Sequence, residues 1–215
     1  RQDIYSFDVT DSGSYLNEDY LGSNINTKYH EGLASFDNEG NMYISRESFY
    51  ENEYVKDPES NNITSLIGIY KISKGEKNVV ALNINSVEYS VKNPSVSSDG
   101  KTIYFSSDMP GGFGNFDIYK GDIDGEGNIN NVENLGQKVN TEGQEMFPFI
   151  GDKNNLYFSS DSQLGLGGLD VFFTKEVDGK WASVRNVGIP VNSNADDFAF
   201  NMNEATGEGL SLIHI

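Results

Sequence analysis

The sequence predicts an all-β fold of the β-propeller kind: four-stranded antiparallel blades, about four blade equivalents, arranged as a small closed ring or as an arc of a larger propeller. Three observations lead there. Gly, Asn and Ser make up 71 of the 215 residues, more turn chemistry than long helices tolerate and suited to many short strands. A unit of about 50 residues recurs along the chain. Each unit holds four short apolar runs separated by Asp, Asn and Gly turns.

The repeats run over residues 1–209. Residues 1–29 match the second half of a unit, with Asp3-Ile4-Tyr5 standing where Asp117-Ile118-Tyr119 stands later. The unit over 30–92 opens with LASFDNEGNMYISR (33–46) and resumes at Gly68-Ile69-Tyr70. Between them lies a polar, acidic insertion, 47–65, which reads as a long exposed loop. The units 93–144 and 145–196 are the clearest pair. Tyr104-Phe105-Ser106-Ser107-Asp108 recurs as Tyr157-Phe158-Ser159-Ser160-Asp161, and Asp117-Ile118-Tyr119 as Asp170-Val171-Phe172, both at an offset of 53. In the last of these units strands are expected at 146–150, 155–160, 170–175 and 181–186. Residues 197–209 match the start of a further unit, which with 1–29 could form a composite blade. Residues 210–215 leave the pattern abruptly and read as a non-native tail, so no role is assigned to His214. The blade logic follows from burial: each unit has apolar residues on both faces, such as Tyr104 and Phe105, and hides them only between neighbouring blades.

The linkers repeat too, as LGSNINT (21–27), LGQKVNT (135–141) and VGIPVNS (187–193), with a degraded copy in ALNINSVEYSVKNP (81–94). Five residues past the linker Asn comes an acid: Glu31 after Asn26, Glu145 after Asn140, Asp197 after Asn192. On the innermost strands of a propeller these could form an acidic ring at a channel mouth, able to attract a cation or a basic side chain. The alternative is that each acid ties its blade to the next through backbone amides.

The string P-x-x-S-x-D-G-K-x-I-Y-F-S-S-D-x-x-G-G-x-G-x-x-D-I-Y, followed by L-G-x-x-x-N-T and an acid, resembles the WD40-like repeat of TolB-type propellers. It resembles more closely the version in Bacteroidetes outer-membrane-associated proteins that end in an OmpA-like peptidoglycan-binding domain, some linked to type IX secretion. The resemblance implies a periplasmic or outer-membrane-associated module. Its implied partner is an envelope or secretion-system protein, and peptidoglycan would be reached only through a domain absent from these residues. The opening RQDIYSFDV lacks the basic and apolar regions of a signal peptide, and the chain is expected to begin inside a longer protein.

Charge excludes several functions. With 33 Asp and Glu against 15 Lys and Arg the formal charge is −18, which repels phosphate backbones, so no nucleic-acid partner is expected. The absence of Cys removes disulfides, thiol nucleophiles and thiolate metal sites. No apolar run approaches the roughly 20 residues that span a bilayer, so direct membrane insertion is not expected. Two His, His30 and His214, make no histidine metal site, and no cofactor is expected.

Other motifs read mainly as structure. Asp122 to Glu133 approximates a calcium loop but lacks flanking helices, and the repeat places it at a hairpin between third and fourth strands. Gly111-Gly112-Phe113-Gly114 and Gly165-Leu166-Gly167-Gly168 read as tight loops in which Gly supplies positive φ, their amides held by Asp117 and Asp170. No Gly-x-Ser-x-Gly elbow is present and His30 is the only credible catalytic histidine. The function expected is therefore a non-catalytic protein-interaction or scaffold propeller. The alternative is a glycan- or peptide-binding, conceivably hydrolytic, propeller using Tyr50, Tyr54 or Trp181 as platforms.

Overall fold

The structure, a computed structural model, describes residues 2–10, 12–47, 55–56 and 63–214. A hairpin of β1 (Tyr5–Val9) and β2 (Tyr15–Tyr20) comes first. The first complete blade follows: β3 (Glu31–Phe36), β4 (Met42–Glu47), β7 (Ile67–Ile72) and β8 (Val79–Ala81), with a short hairpin of β5 (Val55–Lys56) and β6 (Ile63–Thr64) between β4 and β7. The second blade is β9 (Val91–Val96), β10 (Thr102–Ser107), β11 (Asp117–Ile123) and β12 (Ile129–Asn134). The third is β13 (Glu145–Ile150), β14 (Asn155–Ser160) and β15 (Asp170–Val177), completed by β16 (Lys180–Trp181) and β17 (Arg185–Asn186). A second hairpin, β18 (Asp196–Asn203) and β19 (Glu208–His214), ends the chain. Every ladder among these strands is antiparallel, and there is no helix among the described residues.

Four features differ from the sequence expectation. The two terminal hairpins remain separate two-stranded sheets, so no composite blade closes a small ring, and the fold is an arc of three full blades with a half-blade at each end. The insertion is not a bare loop, because β5 and β6 pair within it; most of its residues, Tyr50 and Tyr54 included, lie outside the described ones. The outer strand expected at 181–186 is split. Its pairing runs from Glu176↔Trp181 to Phe173↔Arg185, one residue out of step, and Thr174 Oγ1 donates to the Ala182 carbonyl at 3.0 Å across the break. Residues 210–214, set apart as a tail, pair with β18 as part of β19.

The cores lie between blades, as side-chain alternation in a strand requires. On β10, Phe105 turns toward the first blade and packs with Tyr43 and Ile69, while its neighbour Tyr104 joins Leu156 and Phe158 of the third. On β14, Phe158 faces back to the second blade and Tyr157 forward to Phe200 of β18. Each aromatic pair thus closes two interfaces. Burying one such side chain is worth about 1.5–3 kcal/mol.

A second device joins blade to linker. Asn140 Oδ1 accepts from the Ile118 N–H at 2.8 Å while Asn140 Nδ2 donates to the Ile118 carbonyl at 3.0 Å. Asn192 clamps Val171 in the same way, both bonds 2.8 Å, and Asn26 clamps Ile4 at 2.6 and 2.7 Å. The linker that looked degraded has the clamp as well: Asn85 holds Ile69 at 2.8 and 2.9 Å. In each case the clamped residue lies one position before the first one paired to the outer strand. The glycine of the linker explains the rest of the motif. Gly22, Gly136 and Gly188 have φ of 84°, 79° and 78°, conformations that admit Gly readily, and their carbonyls accept from the clamp residues Asn26, Asn140 and Asn192, closing one helical turn.

Replacing Asn140 by Ala leaves the buried Ile118 N–H without its acceptor. The expected cost is about 2–4 kcal/mol, read as a lower urea midpoint at unchanged slope.

Candidate functional site

Glu31, Glu145 and Asp197 occupy the first turns of the inner strands β3, β13 and β18, but they do not form an open acidic ring. They are 2%, 0% and 0% exposed. Thr27 donates to Glu31 through its N–H at 3.0 Å and its hydroxyl at 2.5 Å. Thr141 does the same to Glu145 at 2.8 and 2.7 Å, joined by the Ser160 hydroxyl at 2.7 Å. Ser193 serves Asp197 at 2.5 and 3.0 Å. The acids therefore accept from the linker residue that follows each clamp asparagine. The second blade omits the acid: its linker is one residue longer, and Val91, buried, pairs with Ser107 where Glu145 pairs with Ser160. Glu31 also lies 3.6 Å from the guanidinium of Arg46, which donates to the Asn24 and Ile25 carbonyls.

The inner strands share a distortion that the sequence announces only in part. Each has one extra residue against its neighbour, at 32–33 in β3, 93–94 in β9, 147–148 in β13 and 199–200 in β18. At three of these bulges the first residue is left-handed: Asn93 at φ 55°, Phe147 at 55° and Ala199 at 53°. For a bulky residue such as Phe this conformation costs roughly 1–3 kcal/mol. All four bulges border one central cavity of about 770 Å3. Glu31 is in its wall; Glu145 and Asp197 are not. Phe147 and Phe198 form an apolar side, ring centroids 5.1 Å apart. Lys92 is also in the wall, with Nζ 3.5 Å from the Phe116 ring centroid. Burial pushes its ammonium down to about 8, against the opposing pull of Asp108.

The remaining motifs are structural. Asp124 closes the β11–β12 hairpin by accepting from the Glu126 and Asn128 amides at 2.9 and 2.8 Å and from the Asn130 side chain at 3.0 Å. Asp122 takes the Asn131 side-chain amide at 2.8 Å, and Glu133 pairs with Lys120 at 3.1 Å. No group of three or more His, Asp and Glu side chains is placed to hold a metal among the described residues. Asp117 accepts from the Phe113 and Gly114 amides, and Asp170 from those of Leu166 and Gly167. In those loops only Gly111 has positive φ. The glycines serve close approach instead: a Cβ on Gly114 would strike the Gly143 carbonyl, and one on Gly167 the Ala195 carbonyl. Trp181 packs against the second and third blades, edge-on to Tyr104 at 6.3 Å. His30 accepts from the Gln2 N–H at 3.1 Å.

In a blade ordered one to four, the connection between strands two and three and the linker to the next blade lie at one end. Contacts bear this out: Asn115 N–H donates to the Gly143 carbonyl at 2.7 Å, and Asn186 Nδ2 to the Leu164 carbonyl at 3.4 Å. This end carries exposed apolar side chains: Val87, Phe113, Leu164, Leu166 and Ile189, with Leu164 94% and Ile189 81% exposed. The opposite end is made of Asp and Gly turns such as 98–100, 124–127 and 178–179, with Phe36, Val177 and, beside the β1–β2 turn, Val9 and Tyr15 as exposed large apolar residues.

No protein-family model and no curated protein matches the sequence. Among solved structures, a protein from Agrobacterium tumefaciens described as a TolB aligns over 96% of this chain and 68% of its own, at 15% identity and a TM-score of 0.53. A chain of a mitotic checkpoint complex aligns over 84% of this chain and 44% of its own at 10% identity and TM-score 0.49, and a sialidase of Trypanosoma rangeli over 98% and 46% at 9% and 0.38. The first likeness establishes a TolB-like propeller fold; the other two add nothing to it.

Burial raises the Glu145 carboxyl above its ordinary range, outweighing its hydrogen bonds from Thr141 and Ser160. The folded state therefore holds a proton more readily than the unfolded chain, and this group's contribution falls as pH rises past about 4.5. A Glu145→Gln variant, which removes that titration, is expected to gain stability relative to wild type as pH goes from 4 to 7. Parallel urea titrations at the two pH values check it; an identical stability difference at both contradicts it.

Proposed function

We propose that this chain is a non-catalytic protein-interaction module of a cell-envelope protein, its partner an envelope or secretion-system protein met by the loop end of the blades. The observation that supports it is the cluster of exposed apolar loop residues, above all Leu164 and Ile189, on the end opposite the acidic turns. Isolated exposed apolar residues are ordinary, whereas several grouped at one end are characteristic of contact surfaces. The insertion 47–65 leaves from the same end, since it joins strands two and three of its blade.

A non-catalytic role is supported by the burial of the recurrent polar groups: Ser106 and Ser159, whose hydroxyls have no hydrogen-bond partner, are shut away from solvent, and others are occupied. The Ser107 hydroxyl donates to the Ser90 carbonyl at 2.7 Å, that of Ser160 to Glu145, and the repeated acids hold linker amides. The envelope setting rests on the repeat strings, which resemble those of periplasmic and outer-membrane-associated propellers. Peptidoglycan contact would belong to another domain.

The test is affinity capture from a cell-envelope extract with the wild-type chain and a Leu164→Glu, Ile189→Glu double variant. The wild type is expected to retain a defined protein and the variant to lose at least about 90% of it, since a buried unpaired charge at a contact centre costs more than a tenfold loss of affinity. Retention of no protein, or equal retention by both, would overturn the reading.

A further inference from the structure

The apolar loop end carries a second signature, its charge. In the loops and linkers that form it, 85–90, 108–116, 135–144, 161–169 and 187–195, the exposed acids are Glu88, Asp108, Glu142 and Asp161, and the one basic side chain is Lys138. Asp108 and Asp161 also hold the chain in place, accepting the N–H of Ser90 at 2.7 Å and of Gln144 at 2.8 Å. Glu88 and Glu142 form no ion pair with any described residue.

The acids and the apolar residues belong to one surface. Gly114, which follows Phe113, lies against the linker that leaves its blade: a Cβ there would be 3.0 Å from the Glu142 carbonyl carbon. One on Gly143 would strike Asp161 Oδ1 and Ser162 Oγ of the third blade. Gln163 Nε2 reaches back to the Val139 carbonyl at 3.5 Å, and the Leu164 carbonyl takes Asn186 Nδ2 at 3.4 Å beside the linker that holds Ile189. Phe113, Glu142, Asp161, Leu164 and Ile189 therefore follow one another across the second and third blades. Whatever covers Leu164 and Ile189 must also meet the carboxylates between them. A wholly apolar surface would strip those carboxylates of water without replacing it. An acidic protein or an anionic lipid surface would be repelled. Apolar residues accompanied by Lys or Arg satisfy both parts of the surface.

We propose that the loop end of the second and third blades docks a segment of a partner protein in which apolar residues are interspersed with Lys or Arg. The apolar side chains cover Phe113, Leu164 and Ile189, and the cations pair with Glu142 and Asp161. This rests on the docking role proposed above and adds the chemistry of the partner. Attraction between the two surfaces steers their encounter and weakens as salt shortens the Debye length.

Calorimetric titration of the whole chain tests it with three acetylated and amidated peptides: three repeats of Leu-Lys-Lys-Leu, the Leu-Glu-Glu-Leu counterpart and the Ser-Lys-Lys-Ser counterpart. The Leu-Lys peptide is expected to bind, and each of the others to bind at least about tenfold more weakly. Its affinity is expected to fall between about 0.05 and about 0.5 M NaCl. A Leu164→Ser, Ile189→Ser variant, unchanged in charge, should lose at least about tenfold. Glu142→Lys should lose at least about threefold. Glu126→Lys makes the same change of net charge in an exposed turn of the opposite end and should bind as wild type does. No binding of the Leu-Lys peptide, equal binding of the Leu-Glu peptide, undiminished binding by Leu164→Ser, Ile189→Ser, or equal losses in Glu142→Lys and Glu126→Lys would overturn the proposal. The docking role fails separately. If wild type retains a defined envelope protein that Leu164→Glu, Ile189→Glu loses, while the chain shows no preference for the Leu-Lys peptide, the docking role stands and this assignment of its partner is overturned.

Discussion

Four asparagine side chains, Asn26, Asn85, Asn140 and Asn192, offer an N–H and a C=O to the third strand of the preceding blade, as a neighbouring peptide would. A propeller needs such a device. The chain must leave the outer edge of one blade and enter the inner edge of the next, and at that crossing a residue at the beginning of the third strand has no outer strand beside it. Its N–H and C=O would be buried and unpaired, at about 1–3 kcal/mol for each group. The asparagine supplies both partners from one side chain and fixes the linker where the next inner strand begins.

The other repeated features take their places from this anchor. The Thr or Ser after the clamp asparagine presents its N–H and hydroxyl to the acid that opens the inner strand. The inner strand then bulges at a matched position, and the bulges turn residues such as Asn93, Phe147 and Ala199 toward the cavity. Behind them, the paired aromatics of the second strands send one ring to each neighbouring blade. Serine side chains join adjacent inner strands: Ser35 accepts from the Val96 N–H at 2.9 Å and Ser95 from the Ile150 N–H at 3.0 Å. The inner strands are thus tied to one another around the axis through side-chain hydrogen bonds.

Much of this was legible in the sequence, for reasons of periodicity. An exact offset of 53 between two aromatic-serine strings marks equivalent strands, and apolar residues side by side on one strand imply burial on both faces. The linker asparagines were visible only as letters in a recurring string. Asn85 sits in a segment that had lost the rest of the string, yet makes the same two bonds, because the clamp needs one amide and a chain path, not the residues around it. The acids show the opposite failure. Their equal spacing was plain, but spacing does not disclose whether a carboxylate faces solvent or a threonine N–H, and one inserted residue puts Val91 at the matching place. Bulges left a partial signal: Pro94 and Pro148 stand at the second bulge position of two inner strands, where a strand interior disfavours Pro, whereas Gly32-Leu33 and Ala199-Phe200 carry no such mark.

Amide hydrogen exchange on the intact chain tests the central role of the clamps most directly, at Ile69, Ile118 and Val171, whose N–H groups end in asparagine side chains and not in a strand ladder. The account predicts protection comparable to that of mid-strand amides such as Phe105. Exchange at these residues as fast as at the hairpin tip around Gly125 would contradict it.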